Sequence, residues 1–192
     1  REQRNEIYKT LVPLVDEQYR IFNEEIVPQL QTNGVEFVSY KDLSDDDRLI
    51  VNSYFIDELF PILTPLAIDN VHPFPNLINR SLALAIILDD PDTEQVEEKV
   101  CVIQLPNNIS RFYSIGSNGE FKFILLEEII MANVDKLFPG MRTLDAFAFR
   151  ITRNADLDLE EEEADDLLTL IEEEVKKRRL GILVRLEVDK KM

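Results

Sequence analysis

The chain has 192 residues, 45% of them hydrophobic, and a formal net charge of -17. That apolar share supports one domain of ordinary size, or one domain with a helical attachment, and sets disorder aside. The acidic balance excludes a surface that attracts nucleic acid or any polyanion as a whole, but not a local basic groove.

No apolar run reaches the roughly 18 residues of a membrane span, and no basic-then-apolar leader is present. Neither a transmembrane segment nor a nucleic-acid partner is expected. Cys101 is the single cysteine and lies in the apolar run KVCVIQL. It has no internal disulfide partner, which fits a core thiol in a reducing compartment. The sequence opens on Arg1 inside a helical pattern and stops soon after a predicted strand, so it reads as a piece of a longer protein.

Residues 4–32 read as one long amphipathic helix, with Ile7, Leu11, Leu14, Phe22, Ile26 and Leu30 at helical spacing. Pro13 and Pro28 predict a kink or a break near one of them, and Gly34 a stop. Val35–Tyr40 reads as a short strand. Ser44 is placed to cap a helix with Asp45, Asp46 and Asp47 in its first turn, running to about Phe60. Phe60–Pro75 then packs Pro61, Pro65, Pro73 and Pro75 with the sole histidine, His72. Being apolar and yet barred from regular helix or central strand, it is expected as a buried, rigid connection.

Ser81–Leu88 is a nearly continuous apolar run of strand length, followed by an exposed acidic loop over 89–98 and a strand over Lys99–Leu105. Arg111–Ile115 and Glu120–Leu125 flank Gly116-Ser117-Asn118-Gly119 as a β-hairpin. Leu126–Phe138 has helical spacing, Ala146–Thr152 alternates as a strand, 159–180 reads as a capped helix, and Ile182–Val188 as the last strand. This order predicts an α+β fold: a mixed or mostly antiparallel sheet with packed helices, preceded by a long helix.

Chemistry is sparse. No phosphate-binding glycine loop, HExxH, CxxC or nucleophile elbow occurs, and no metal site is expected. The Asp45–Asp47 run has a sufficient structural reason in its helix turn. His72, the sole histidine, has two readings: a phosphoryl acceptor or anion sensor, or a histidine held in a proline turn by a backbone carbonyl. FRITRNAD (149–156) is the most polar stretch. Arg150 and Arg153 end a strand, and Asn154 and Asp156 follow in a turn; arginine forks suit phosphate oxygens there. The plainer reading pairs both arginines with the chain's own carboxylates. Arg185, Arg80 and Arg111 are weaker candidates of the same kind. The cluster Lys176–Arg179 and the carboxylates Glu127–Glu128 and Glu160–Glu163 read as solvated helix faces.

Several stretches together resemble the head region of the bacterial polyphosphate kinases of the first class. They are LVDEQYRIFNEEIVPQL, YFIDELFPILTPLAID, HPFP, NRSLALAI, LPNNISRF, LEEII, LFPGM, FRITRNADL and RRLGILVRLEV, in the family's order and over nearly the whole chain. The resemblance implies 1–34 as the end of an N-terminal helical domain and 35–192 as the head (middle) domain. It implies reversible transfer of the terminal phosphate of ATP to polyphosphate by the intact parent, with Mg²⁺ and ATP as cofactors, through a phosphohistidine outside this sequence. His72 is then not the catalytic histidine, and the fragment alone is expected to be inactive and to bind no cofactor itself. The implied partners are the N- and C-terminal domains of the same chain, a second copy through the head, and polyphosphate, with the head contributing to the walls of the active-site tunnel. The implied location is cytoplasmic, with peripheral contact to the inner membrane left open. Residues facing polyphosphate or nucleotide would come from Arg150, Arg153, Asp156, Arg185, Arg80 and His72. The competing reading is a non-catalytic interaction or scaffolding module built on the first helix.

Overall fold

Two prolines act on the first helix in different ways. In the computed structural model, which describes residues 2–69, 72–92, 98–116, 120–154 and 181–189, α1 spans Glu2–Ile21 and carries Pro13 inside it. A π-helical turn, Phe22–Ile26, then leads into α2, Val27–Thr32. The Val27 N–H reaches back to the Phe22 carbonyl, five residues away. Pro28 has no N–H, and in an unbroken ladder its ring would strike the carbonyl four residues earlier. The wider turn relieves that clash, so the predicted break falls at Pro28. Gly34, at φ 81°, ends the segment in the left-handed region.

The same device recurs before Pro61. Ser44 caps α3 (Asp45–Tyr54), its hydroxyl accepting from the Asp47 N–H at 3.1 Å. α3 continues as a π-helical turn, Phe55–Leu59, in which the Phe60 N–H bonds the Phe55 carbonyl. The predicted strand at Val35–Tyr40 is shorter than expected: β1 is Val35–Phe37, and Tyr40–Asp42 is a 3-10 turn.

Two sheets follow. The larger is antiparallel throughout, in the order β2-β4-β3-β7-β8. Its strands are β2 (Pro65–Ile68), β3 (Leu82–Asp89), β4 (Lys99–Gln104), β7 (Arg142–Arg153) and β8 (Leu183–Val188). The smaller, β1-β6-β5, pairs β5 (Phe112–Ser114) antiparallel with β6 (Phe121–Leu125), as the hairpin reading required. It also pairs β1 parallel with β6. Central β3 is a continuous apolar run because both of its faces are covered. Leu84, Ile86 and Leu88 join the main core with Val51, Phe55, Ile103, Ile129 and Ile130, while Ala83 and Ala85 meet a smaller cluster with Val102, Phe149 and Ile151.

Several expectations need correction. Phe60–Pro75 is not a buried connector: Phe60, Ile62, Leu66 and Phe74 are 39–50% exposed. Part of it forms β2, an edge strand, where Pro65 as first residue removes no needed donor. Asp89 is not in an exposed loop. It ends β3, buried, in an ion pair with Arg142 across the ladder. Leu126–Phe138 splits at Asn133 into α4 (Leu126–Ala132) and α5 (Val134–Leu137), because the buried Asn133 amide donates to the Ile129 carbonyl at 2.9 Å. Glu127 is not on a solvated face: it is buried against Arg111. Glu128 accepts from the Tyr40 N–H at 3.4 Å. The helix predicted over 159–180, with the Glu160–Glu163 and Lys176–Arg179 clusters, lies outside the described residues.

The Lys122 ammonium donates to Asp47 Oδ2 at 2.7 Å and ties β6 to the start of α3. That ammonium, then the Ser44 cap, holds the Asp47 carboxyl below the ordinary carboxylate value. A lowered folded-state pKa contributes stability that is present above the unfolded value and lost as pH falls through the folded one. Melting temperature should therefore drop as pH falls below about 4, and the drop should be shallower in Asp47→Asn. Parallel pH–melting curves of the two proteins would check it.

Candidate polyanion-binding groove

β7 and β8 bring two of the predicted arginines together. Their register pairs Arg150 with Glu187 and Thr152 with Arg185. Side chains alternate along a strand, so these four share one face, the face on which Ala146 and Ala148 meet the main core. Arg150 lies opposite Leu82, where that face runs out toward the end of the sheet. Arg185 Nη2 donates to Glu187 Oε1 at 2.6 Å, and Arg150 Nη1 sits 3.8 Å from Glu187 Oε2. All three side chains are more than a third exposed. The Arg150 Nε is nevertheless buried and has no acceptor among the described residues.

β8 forms one wall of a groove of about 790 Å³, and α1 forms the other. Arg185 and Glu187 line it from the strand; Arg4, Tyr8, Asp16 and Tyr19 line it from the helix. Its lining is balanced in charge in a chain of net charge -17. α1 buries none of its own residues, and Ile7, Tyr8, Leu14 and Tyr19 are 61–67% exposed.

The other predicted site residues are dispersed. Arg153 stands three positions after Arg150 and takes the opposite face of the strand, lining a second, apolar groove of about 350 Å³ with Phe74, Phe149 and Ile151. Its Nη1 donates to the Gly181 carbonyl at 3.0 Å, and its backbone N–H bonds Asn79 Oδ1 at 2.9 Å. Arg80 is exposed, and its backbone N–H holds the Ile151 carbonyl at 3.0 Å. At φ 64° it is the one non-glycine in the left-handed region among the described residues. His72 lines neither groove. Its Nδ1 lies 3.0 Å from both Asp69 oxygens, so it bonds a carboxylate and not the expected backbone carbonyl. Asp156 lies outside the described residues. Arg111, paired with Glu127, serves the interior.

Sequence reasoning missed Glu187 and Asp69. Both carried a signal: VRLE places Arg185 and Glu187 two apart on a strand, and Asp69 precedes His72 by three residues. Among the described residues, no three His, Cys, Asp or Glu side chains are grouped to hold a metal ion. Nor is any helix among them long and apolar enough to cross a membrane.

The sequence from 46 to 192 matches the family model of the polyphosphate kinase middle domain. The chain belongs to that family. A polyphosphate kinase of Bacillus anthracis is 44% identical over 195 residues, covering 99% of this chain and 28% of the relative. One from Thermosynechococcus vestitus is 40% identical, covering 98% of this chain and 26% of the relative. The chain thus spans about a quarter of the length of these relatives. The crystal structure of polyphosphate kinase from Porphyromonas gingivalis superposes with a TM-score of 0.65 at 22% identity, over 74% of this chain and 25% of that one. The motif resemblance therefore holds, and the α+β architecture with a long leading helix agrees with that structure's fold.

Proposed function

We propose that this chain is the head region of an enzyme that reversibly moves the terminal phosphate of ATP onto polyphosphate. In this reading residues 1–34 end a helical domain and 35–192 form the head. ATP, Mg²⁺ and the phosphohistidine belong to other domains of the parent. Among the described residues no three His, Cys, Asp or Glu side chains are grouped to hold a metal ion, and no phosphoryl-transfer step is assigned to them. Phosphoryl transfer depends on many groups positioned at once, and one wall of a site does not turn over alone.

The role proposed for this chain is to line the path of the polyanion, with Arg150 and Arg185 as its phosphate contacts. The observation that carries it is their convergence on one open face, around a carboxylate that Arg150 reaches only at 3.8 Å. Arg80, Arg153 and Asp156 stand near the same strand end in sequence or ladder and are secondary candidates; His72 is not a contact in this reading. Assembly through the head into a homo-oligomer, and a cytoplasmic location, complete the proposal. The exposed apolar stripe of α1 favours a second role, as a surface for protein–protein contact.

The test is titration of the 192-residue chain with long-chain polyphosphate at low and moderate salt. Saturable binding that weakens steeply with salt is expected. Removing two phosphate contacts in Arg150→Gln/Arg185→Gln should flatten the log–log salt slope by about 1.5 without changing the melting temperature. No binding at low salt would leave the chain with an assembly role only.

A further inference from the structure

We propose that Glu187 is a built-in competitor for the phosphate site, an internal carboxylate that occupies the Arg150–Arg185 pair until a polyanion displaces it. The inference rests on the reading of that pair as a polyphosphate contact. Glu187 is the direct ladder partner of Arg150 and stands two residues from Arg185 on the same face. Its two oxygens each reach one arginine, Oε1 to Arg185 at 2.6 Å and Oε2 to Arg150 at 3.8 Å. One carboxylate thus stands where two guanidinium groups converge, the position a bridging phosphate would take.

The hold is weak in the manner a displaceable ligand requires. All three side chains are partly open to water, where ion pairs contribute little. The contact to Arg150 is too long for a hydrogen bond, and the buried Arg150 Nε has no acceptor among the described residues. A carboxylate offers two oxygens on one plane. An internal phosphoryl unit of a chain also offers two non-bridging oxygens, but on a tetrahedral phosphorus, and the neighbouring units supply further ones. Exchange of Glu187 for polyphosphate therefore offers Arg150 Nη1 an acceptor within hydrogen-bond reach, which the 3.8 Å contact to Glu187 does not. It also releases the carboxylate toward water and leaves Arg185, which lines the groove, to the polyanion. The site then resists small or singly charged anions, which cannot outcompete the tethered carboxylate, and yields to long multivalent ones.

The experiment compares polyphosphate affinity of the unaltered chain with Glu187→Gln, Glu187→Ala, Arg150→Gln and Arg185→Gln, with Asp46→Asn as a distant exposed control and tripolyphosphate as the short probe. Both Glu187 variants are expected to tighten long-chain polyphosphate roughly three- to tenfold at low salt, and tripolyphosphate by a larger factor. The arginine variants should weaken binding, and Asp46→Asn should leave it within about twofold. Unchanged or weakened binding in the Glu187 variants, with the arginine variants still weakened, would overturn the competitor role and keep the arginine pair as the contact. Equal tightening in Asp46→Asn would overturn it as a bulk charge effect. Arginine variants that bind like the unaltered chain would remove the contact itself, and the competitor with it.

Discussion

Replacing Phe55 by alanine should lower the unfolding free energy by about 3–5 kcal/mol. Phe55 sits in the π-helical turn before Pro61 and is fully buried. It joins the layer from α3, with Val51 and Leu59, to the strand residues Leu84 and Ile103 in the main core. Its ring meets Phe60 edge-on, with centroids 6.2 Å apart and planes at 67°. The Lys136 ammonium lies 5.7 Å from the ring centroid. Each such contact adds on the order of 0.5–1 kcal/mol beyond buried area. Alanine would lose both contacts with the buried area and leave a cavity between elements that cannot both close on it. Phe60 is the internal comparison: it is 43% exposed, so Phe60→Ala should cost about 1 kcal/mol. Urea unfolding of the two variants should separate them clearly. Equal midpoints would mean that the π-helical turn does not position Phe55 as described.

The elements that were legible in the sequence are those whose burial has one period. β3 announced itself as SLALAIIL because both faces are covered, and β7 as AFAFRIT because one face meets the core and the other the smaller cluster. The Ser44 cap was legible because its partner lies three residues away. What was not legible depends on distant partners. Nothing local says that β1 should pair parallel with β6, or that Asp89 should be buried against Arg142. β2 was hidden by its own proline: Pro65 argues against a central strand and says nothing against an edge. At the site, the approach of Arg150 to Arg185 needed the β7–β8 register, which only the fold supplies. The separation of Arg150 from Arg153 did not. Three positions along a strand is an odd number, so the two arginines had to face opposite sides once 146–152 was read as a strand.

The groove follows from the same two facts. Among the described residues β8 is the last strand of its sheet, so one side and one face remain available there after β7 is paired. α1 keeps its apolar stripe because the wider turn before Pro28 and the stop at Gly34 leave it outside the main core. A helix without buried residues facing the last strand leaves the open groove between α1 and β8.

Arg111→Ala should destabilise the fold by about 2–4 kcal/mol and leave polyphosphate affinity of the folded chain unchanged. Glu127 is the reason. Its side chain is 6% exposed, and Arg111 Nε reaches its two oxygens at 2.9 and 3.1 Å, with Nη2 completing a fork on Oε1. The Arg111 carbonyl also accepts the Leu126 N–H at 2.8 Å, so one residue fixes the start of α4 by backbone and side chain together. The Glu127 carboxylate, through that hydrogen bond, raises the Arg111 pKa above its ordinary value. Removing the guanidinium leaves a buried carboxylate with no cation, which in a closed interior costs about 3–5 kcal/mol. Arg111 is 47% exposed, so water can enter in its place. Glu127 also lies in the first turn of α4, where the helix dipole favours an acid. Both effects reduce the loss. Arg111→Met/Glu127→Leu removes the two charges together and should recover most of the stability, as replaced buried pairs commonly do. A full double-mutant cycle by urea unfolding would read the coupling directly. A coupling near zero would show that Glu127 is solvated after all, and a loss of polyphosphate binding at unchanged stability would return Arg111 to the set of phosphate contacts.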